Sequence, residues 1–187
     1  GREKVKIVAM DMSGVYRSFV KDFFPHAKIV ADHFHVVRLL HPTINRMRKA
    51  ITGDKRKHPL RKLLLKNGTK LELFQRKAIW KWLESYPDLK DVYFAKEAMH
   101  RLYRCRGRKR AKRSLINLLD WLALSKIPEL IRLRKTLMNW REEILNYFDT
   151  RITNAKTEGF NNVAKSIIKR AYGFRNFNNY RLRVLNA

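Results

Sequence analysis

The stretch VKIVAMDMSGVYRSFVKDFFPHAKIVADHFHVVRLLHPTINRMRK, residues 5–49, decides the fold. Val5 to Met10 is a short apolar run that ends at Asp11. Gly14 breaks the chain, and Tyr16, Phe19, Val20, Phe23 and Phe24 then recur at the three-and-four spacing of an amphipathic helix, which Pro25 stops. Ala27 to Ala31 is a second apolar run, ending at Asp32, and Val36, Val37, Leu39, Leu40, Ile44 and Met47 carry a further helix. Two apolar strands joined by a helical crossover predict parallel pairing with both faces covered, an α/β unit.

Beyond this unit the pattern turns helical. Seven Gly and five Pro in 187 residues leave little punctuation. From residue 55 to about 148 the apolar spacing predicts helices over 59–66, 70–85, 88–105, 111–124 and 128–148 and no strand, with Pro87 and Pro128 at helix starts, where a missing N–H costs least. The stripes Leu71, Phe74, Ile79, Trp80, Leu83 and Leu130, Leu133, Leu137, Trp140, Ile144 are expected to pack together as a helical subdomain, and the tryptophans at 80, 82, 121 and 140 to serve that packing. The C-terminal segment opens on the loop TRITNAKTEGFNN, 150–162, and returns to a helix through about 171. Phe160, Val163, Ala164, Ile167, Ile168 and Ala171 form one face of that helix; Glu158, Asn161, Asn162, Lys165 and Lys169 form the other.

Charge separates the same three segments. The formal net charge is +27, of which residues 1–40 carry +3, 41–113 carry +17 and 114–187 carry +7. Such a density repels itself unless a polyanion neutralises it, which points to nucleic acid. The run RGRKRAKR at 106–113 holds six cationic residues in eight: Arg106, Arg108, Lys109, Arg110, Lys112 and Arg113. It suits DNA, RNA or an anionic membrane surface by charge alone, but it is not one face of a helix opposed by exposed apolar residues, so the membrane is the poorest fit. The single cysteine, Cys105, excludes an internal disulfide framework and fits a reducing compartment. No apolar stretch reaches the ~20 residues that span a bilayer, and the N-terminal residues lack the apolar core of a signal peptide. A soluble intracellular protein is expected.

The carboxylates are the candidate chemistry. An acidic residue immediately after a parallel strand sits in the crevice outside the carboxyl edge, where α/β sheets bind ligands. Asp11 and Asp32 both hold that position; from neighbouring strands they would share an edge and a divalent cation, hard oxygen ligands suiting Mg²⁺. Each would serve equally as the N-cap of the helix that follows. Glu158 lies on a polar helix face with Asn162, Lys165 and Lys169, an arrangement for phosphate around a metal or simply a solvated face. His33 and His35 lack the partners of a zinc site; an imidazole that donates to a carboxylate and orients it is the ordinary alternative.

The 5–49 stretch, followed after the helical region by TNAKTEGFNNVAKSIIKRAYGFRNFNNYRLRVL at 153–185, resembles the DDE transposases of bacterial insertion sequences, specifically the ISL3-like group. The blocks VADHFHVVRLL at 30–40, NAKTEGFNN at 154–162 and KRAYGFRNF at 169–177 carry the resemblance, and the middle segment matches only in being helical. The resemblance implies a predominantly helical α/β fold: a partial RNase H-like core with parallel strands, interrupted by a large all-helical insertion. The expected organisation is core strands and helices over 1–54, a basic helical insertion over 55–148, and core helices carrying the catalytic Glu over 149–187.

By the same resemblance, Asp11, ending the fourth core strand, looks like the second Asp of the family's Asp-Asp-Glu set, and Glu158 looks like its Glu, both ligating metal. Asp32 and His35 look like supports beside that set. Two Mg²⁺ or Mn²⁺ ions would serve the complete site in an in-line displacement at a DNA phosphate. Arg106, Arg108, Lys109, Arg110, Lys112, Arg113, Lys165 and Lys169 are the expected DNA contacts. The family's first Asp lies on a strand upstream of any residue present, so the chain is expected to be the C-terminal part of the catalytic domain and inactive alone. Homo-oligomers on transposon-end and target DNA, in the bacterial cytoplasm at the nucleoid, are the implied setting. The alternative is a non-enzymatic basic helical protein that binds nucleic acid by charge.

Overall fold

A computed structural model describes residues 1–53 and 59–187. Strands β1 (Ile7–Met10) and β2 (Lys28–Ala31) form a two-stranded parallel sheet in which Ile7 pairs with Lys28 and Met10 with Ala31. The ladder runs one step further at each end, through Lys28 N–H to Lys6 O at 2.8 Å and Asp32 N–H to Met10 O at 2.9 Å. The crossover is α1 (Gly14–Phe23), capped by the Ser13 hydroxyl accepting from Tyr16 N–H. The parallel pairing expected from the two apolar runs is therefore present, and Asp11 and Asp32 leave the sheet at the same edge. After β2, α2 (His33–Arg38) and α3 (His41–Thr52) follow directly, the latter with Pro42 in its first turn.

The helices of the middle segment are α4 (Leu60–Leu65), α5 (Leu73–Glu84), α6 (Pro87–Tyr103), α7 (Arg108–Ala123), α8 (Pro128–Asn139) and α9 (Arg141–Thr150). The boundary expected at 54/55 lies outside the described residues. The single helix predicted over 128–148 is two, because the chain turns at Trp140, whose φ of −106° and ψ of 16° cap both. No Gly or Pro marks the turn; it is set by packing, since it lays α9 against β2, where Asn146 Nδ2–H donates to Ile29 O at 2.8 Å.

One apolar core runs from the sheet through this bundle, from Ile29 and Ile44 to Leu83, Met99, Leu122, Leu137 and Ile144. The later stripe, Leu130 to Ile144, is buried throughout. In the earlier one Leu71, Ile79 and Leu83 are buried, whereas Phe74 and Trp80 face outward. Packing thus accounts for Trp140, but not for Trp80 and Trp121, which are each about two-fifths exposed.

A buried ammonium group shapes the bundle. Lys96 is fully buried on α6 and donates to Leu64 O at 2.9 Å and Lys66 O at 2.5 Å, closing the C-terminal end of α4. It also pairs with Glu97 at 2.6 Å. Glu97 accepts from Gly68 N–H at 3.0 Å, and a Cβ at Gly68 would meet Glu97 Oε2 at 2.9 Å, so a larger residue there would displace the Glu97 carboxylate. His41, on α3, is pushed down to about 4 by burial and then by Arg38, Lys96 and His100, so it is neutral at pH 7.

The described chain forms two compact units, Gly1–Arg151 and Ile152–Ala187. The second consists of α10 (Ala155–Arg170) and α11 (Phe177–Leu185). Of the apolar face expected on α10, only Ile167 is buried; Phe160 is 74% exposed, and Val163 and Ile168 are also open. In the first unit α1 likewise buries only Val20, leaving Tyr16, Phe19 and Phe23 exposed. Both helices carry the amphipathic pattern that the sequence predicts, but a two-stranded sheet and a helical pair offer too little surface to cover it.

Candidate metal centre and nucleic-acid interface

At the carboxyl edge of the two strands, Asp11, Asp32 and His35 bring one ligand atom each to within 4.8 Å of one another. His35 Nδ1 lies 2.9 Å from Asp11 Oδ1 and 3.3 Å from Asp32 Oδ2, so one ring nitrogen bridges both carboxylates. The register of β1 and β2 explains the pairing of the acids, and one turn of α2 explains the imidazole, since Asp32 and His35 are three residues apart.

The two acids differ in surroundings. The Asp11 side chain is 50% exposed and that of Asp32 is 2% exposed. Asp32 is the N-cap of α2, accepting from Phe34 N–H at 3.4 Å, with His33 Nδ1 at 3.6 Å from the same oxygen. Capping and clustering thus coexist in the one Asp32 side chain. His33 in turn stacks on Tyr147 with ring centroids 5.4 Å apart and packs beside Tyr103 at 5.6 Å. Tyr103 stacks on Phe148, and burial raises its hydroxyl far above the usual phenol range, with Tyr147 and Asp32 adding to the effect. Arg151, in the left-handed conformation at φ 56°, sits over Tyr147 and Phe148 and donates to Cys105 O at 2.7 Å. This aromatic packing behind His33, which sequence reasoning did not find, fixes the start of α2 and with it Asp32 and His35. Its only local signal is the aromatic pair Tyr147 and Phe148.

A hard divalent cation fits this donor set. The two carboxylates match the oxygen preference of Mg²⁺ and Mn²⁺, and ligand atoms within 4.8 Å of one another can surround one ion. The half-exposed Asp11 leaves positions for water or a phosphate oxygen.

Glu158 lies in the first turn of α10, half-buried, with Lys165 and Lys169 exposed farther along that helix. In the basic run, Arg106, Lys109, Arg110, Lys112 and Arg113 are exposed. Arg108 differs: its guanidinium is held by Glu142 at 2.6 Å, Asp149 at 2.8 Å and Asn146 at 2.9 Å, tying α7 to α9. A fork used this way binds the bundle rather than a phosphate.

A family model described as a transposase, of the DDE type and ISL3 group, matches residues 1–184. A curated transposase for insertion sequence element IS1001, from Bordetella parapertussis, is 27% identical over 194 residues, covering 99% of this chain and 48% of that protein. The chain therefore spans about half the length of that relative. No solved structure matches it.

Proposed function

The chain belongs to the ISL3-like DDE transposases, and from that premise we propose that it forms the C-terminal part of the catalytic domain that cuts and joins insertion-sequence DNA by a metal-dependent DDE mechanism. The observation that supports this reading most is the meeting of Asp11 and Asp32 across one His35 nitrogen at the carboxyl edge of a parallel strand pair. In this reading β1 and β2 are the fourth and fifth strands of an RNase H-like core.

Asp11 is the metal ligand, open to the DNA phosphate. Asp32, anchored at the start of α2, holds His35, and His35 holds Asp11 in orientation. Glu158 completes the carboxylate set together with an Asp upstream of these residues, while Lys165 and Lys169 on the same helix take phosphate oxygens. A divalent metal held by these carboxylates would supply Lewis-acid polarisation of the scissile phosphate and an attacking oxygen at neutral pH.

The test uses the longer protein with its upstream segment, Mn²⁺ and DNA carrying an element end. Nicking that exposes a 3′ hydroxyl is expected, with none from residues 1–187 alone. Binding without cleavage by the longer protein would leave only the non-enzymatic reading. Cleavage by this chain alone, lost in Asp11→Asn, would instead make Asp11, Asp32 and Glu158 the complete set.

The exposed part of the basic run should supply duplex affinity. Neutralising Arg106, Lys109 and Lys112 together should make the log–log salt dependence shallower by about 0.9 for each phosphate no longer neutralised. Arg108→Gln should leave that slope unchanged and lower the melting temperature, because its partners are Glu142 and Asp149. Filter binding from low to moderate salt, with thermal unfolding alongside, reads both; an unchanged slope in the triple variant removes the run from the interface.

A further inference from the structure

Helices α6 and α7 are joined by residues 104–107, where Gly107 adopts φ 80°, and they face each other across a cleft of about 630 Å³. Its walls carry two kinds of group. Phe94 and Trp121 supply aromatic surface, Trp121 being 39% exposed, and Trp80 packs on Phe94 with ring centroids 5.0 Å apart. Arg101, Arg110 and Arg113 supply charge, and none of the three makes an ion pair among the described residues. Asp91 is the one acidic lining residue among the described residues.

We propose that this cleft receives one nucleotide of an unpaired DNA strand, with its base against Trp121 and Phe94 and its phosphate among Arg101, Arg110 and Arg113. The volume lies in the range of small-molecule sites and accommodates a base, sugar and phosphate. An indole left open to solvent beside unpaired guanidinium groups is the combination that binds single strands, through stacking on a base face and charge on the backbone. A paired base has both faces covered by its neighbours, so the duplex cannot make the first contact. Asp91 separates a nucleobase from an acidic peptide: it accepts from base amino and imino N–H groups, whereas a carboxylate-rich segment would bring only repulsion. The proposal rests on the transposase reading for its choice of DNA, since strand cleavage and joining expose unpaired ends.

The experiment compares a 12-nucleotide single strand, bearing one 2-aminopurine as a fluorescent base, with the matching duplex on the 187-residue chain. Trp121→Ala should weaken single-strand binding roughly tenfold and relieve quenching of the 2-aminopurine, with duplex affinity unchanged. Trp121→Phe, which keeps a stacking ring, should retain most of the affinity, and both variants should melt cooperatively. Equal losses on single strand and duplex, no loss on the single strand, or the same loss in Trp121→Phe as in Trp121→Ala would each overturn the cleft assignment while leaving the transposase reading in place. Binding of neither DNA form by the wild-type chain at low salt would remove the DNA reading itself, and this proposal with it.

Discussion

Asp11→Asn in the longer protein should abolish strand cleavage, by more than about a thousandfold, because losing a ligand that stabilises transition-state charge costs several kcal/mol of barrier. DNA retention should stay within about twofold, since the exposed cations that supply affinity are untouched. The substitution is nearly isosteric at a half-exposed position, so folding should survive it. His35→Ala should fall between wild type and Asp11→Asn and recover in part in His35→Gln, because the imidazole orients two carboxylates. In the same protein, Fe²⁺ placed in the metal site and reacted with peroxide should cut the backbone near residues 11, 32 and 158. Cuts at the first two alone would place Glu158 outside the centre and withdraw its assignment.

The parallel pair is legible in the sequence because its signal is local: each strand is an apolar run terminated by an Asp, and a helical pattern lies between. That pattern alone places two carboxylates at one edge, and the spacing of Asp32 to His35 sets an imidazole within one helical turn of them. What escapes is tertiary. Nothing in NWREE marks the turn at Trp140 that lays α9 on β2, because no propensity demands it and the packing does. The removal of Arg108 from the basic surface is equally invisible, since its partners Glu142, Asn146 and Asp149 lie more than thirty residues away. Charge counted along a sequence treats every arginine as available; burial and pairing decide which ones are.

Periodicity misleads in one respect for a physical reason. A helix pattern states which face is apolar and not how much surface exists to cover it. On α1 and α10 that face remains largely exposed, whereas on α8 the same kind of stripe is wholly buried. The tryptophans divide along this line. Trp140 is packed and carries Arg17 over its ring at 4.3 Å, while Trp121 borders an open, cation-lined cleft.

Lys96→Met should destabilise the helical bundle by about 3 kcal/mol or more in urea unfolding. The side chain is fully buried and satisfies two carbonyls, Leu64 O and Lys66 O, that close α4, besides pairing with Glu97 and lying 4.1 Å from the Tyr93 ring centroid. Burial lowers the Lys96 ammonium below its usual range, and Glu97 acts in the opposite direction. Methionine matches the length and restores apolar packing but leaves both carbonyls without a donor and Glu97 without its cation. Lys96→Met combined with Glu97→Gln should recover part of the loss, because Gly68 N–H still finds an acceptor and no carboxylate is stranded. A double variant no more stable than Lys96→Met would mean that the carbonyls, not the ion pair, carry the cost. A single variant within about 0.5 kcal/mol of wild type, the range of ordinary surface changes, would mean that water enters and replaces the ammonium at the end of α4.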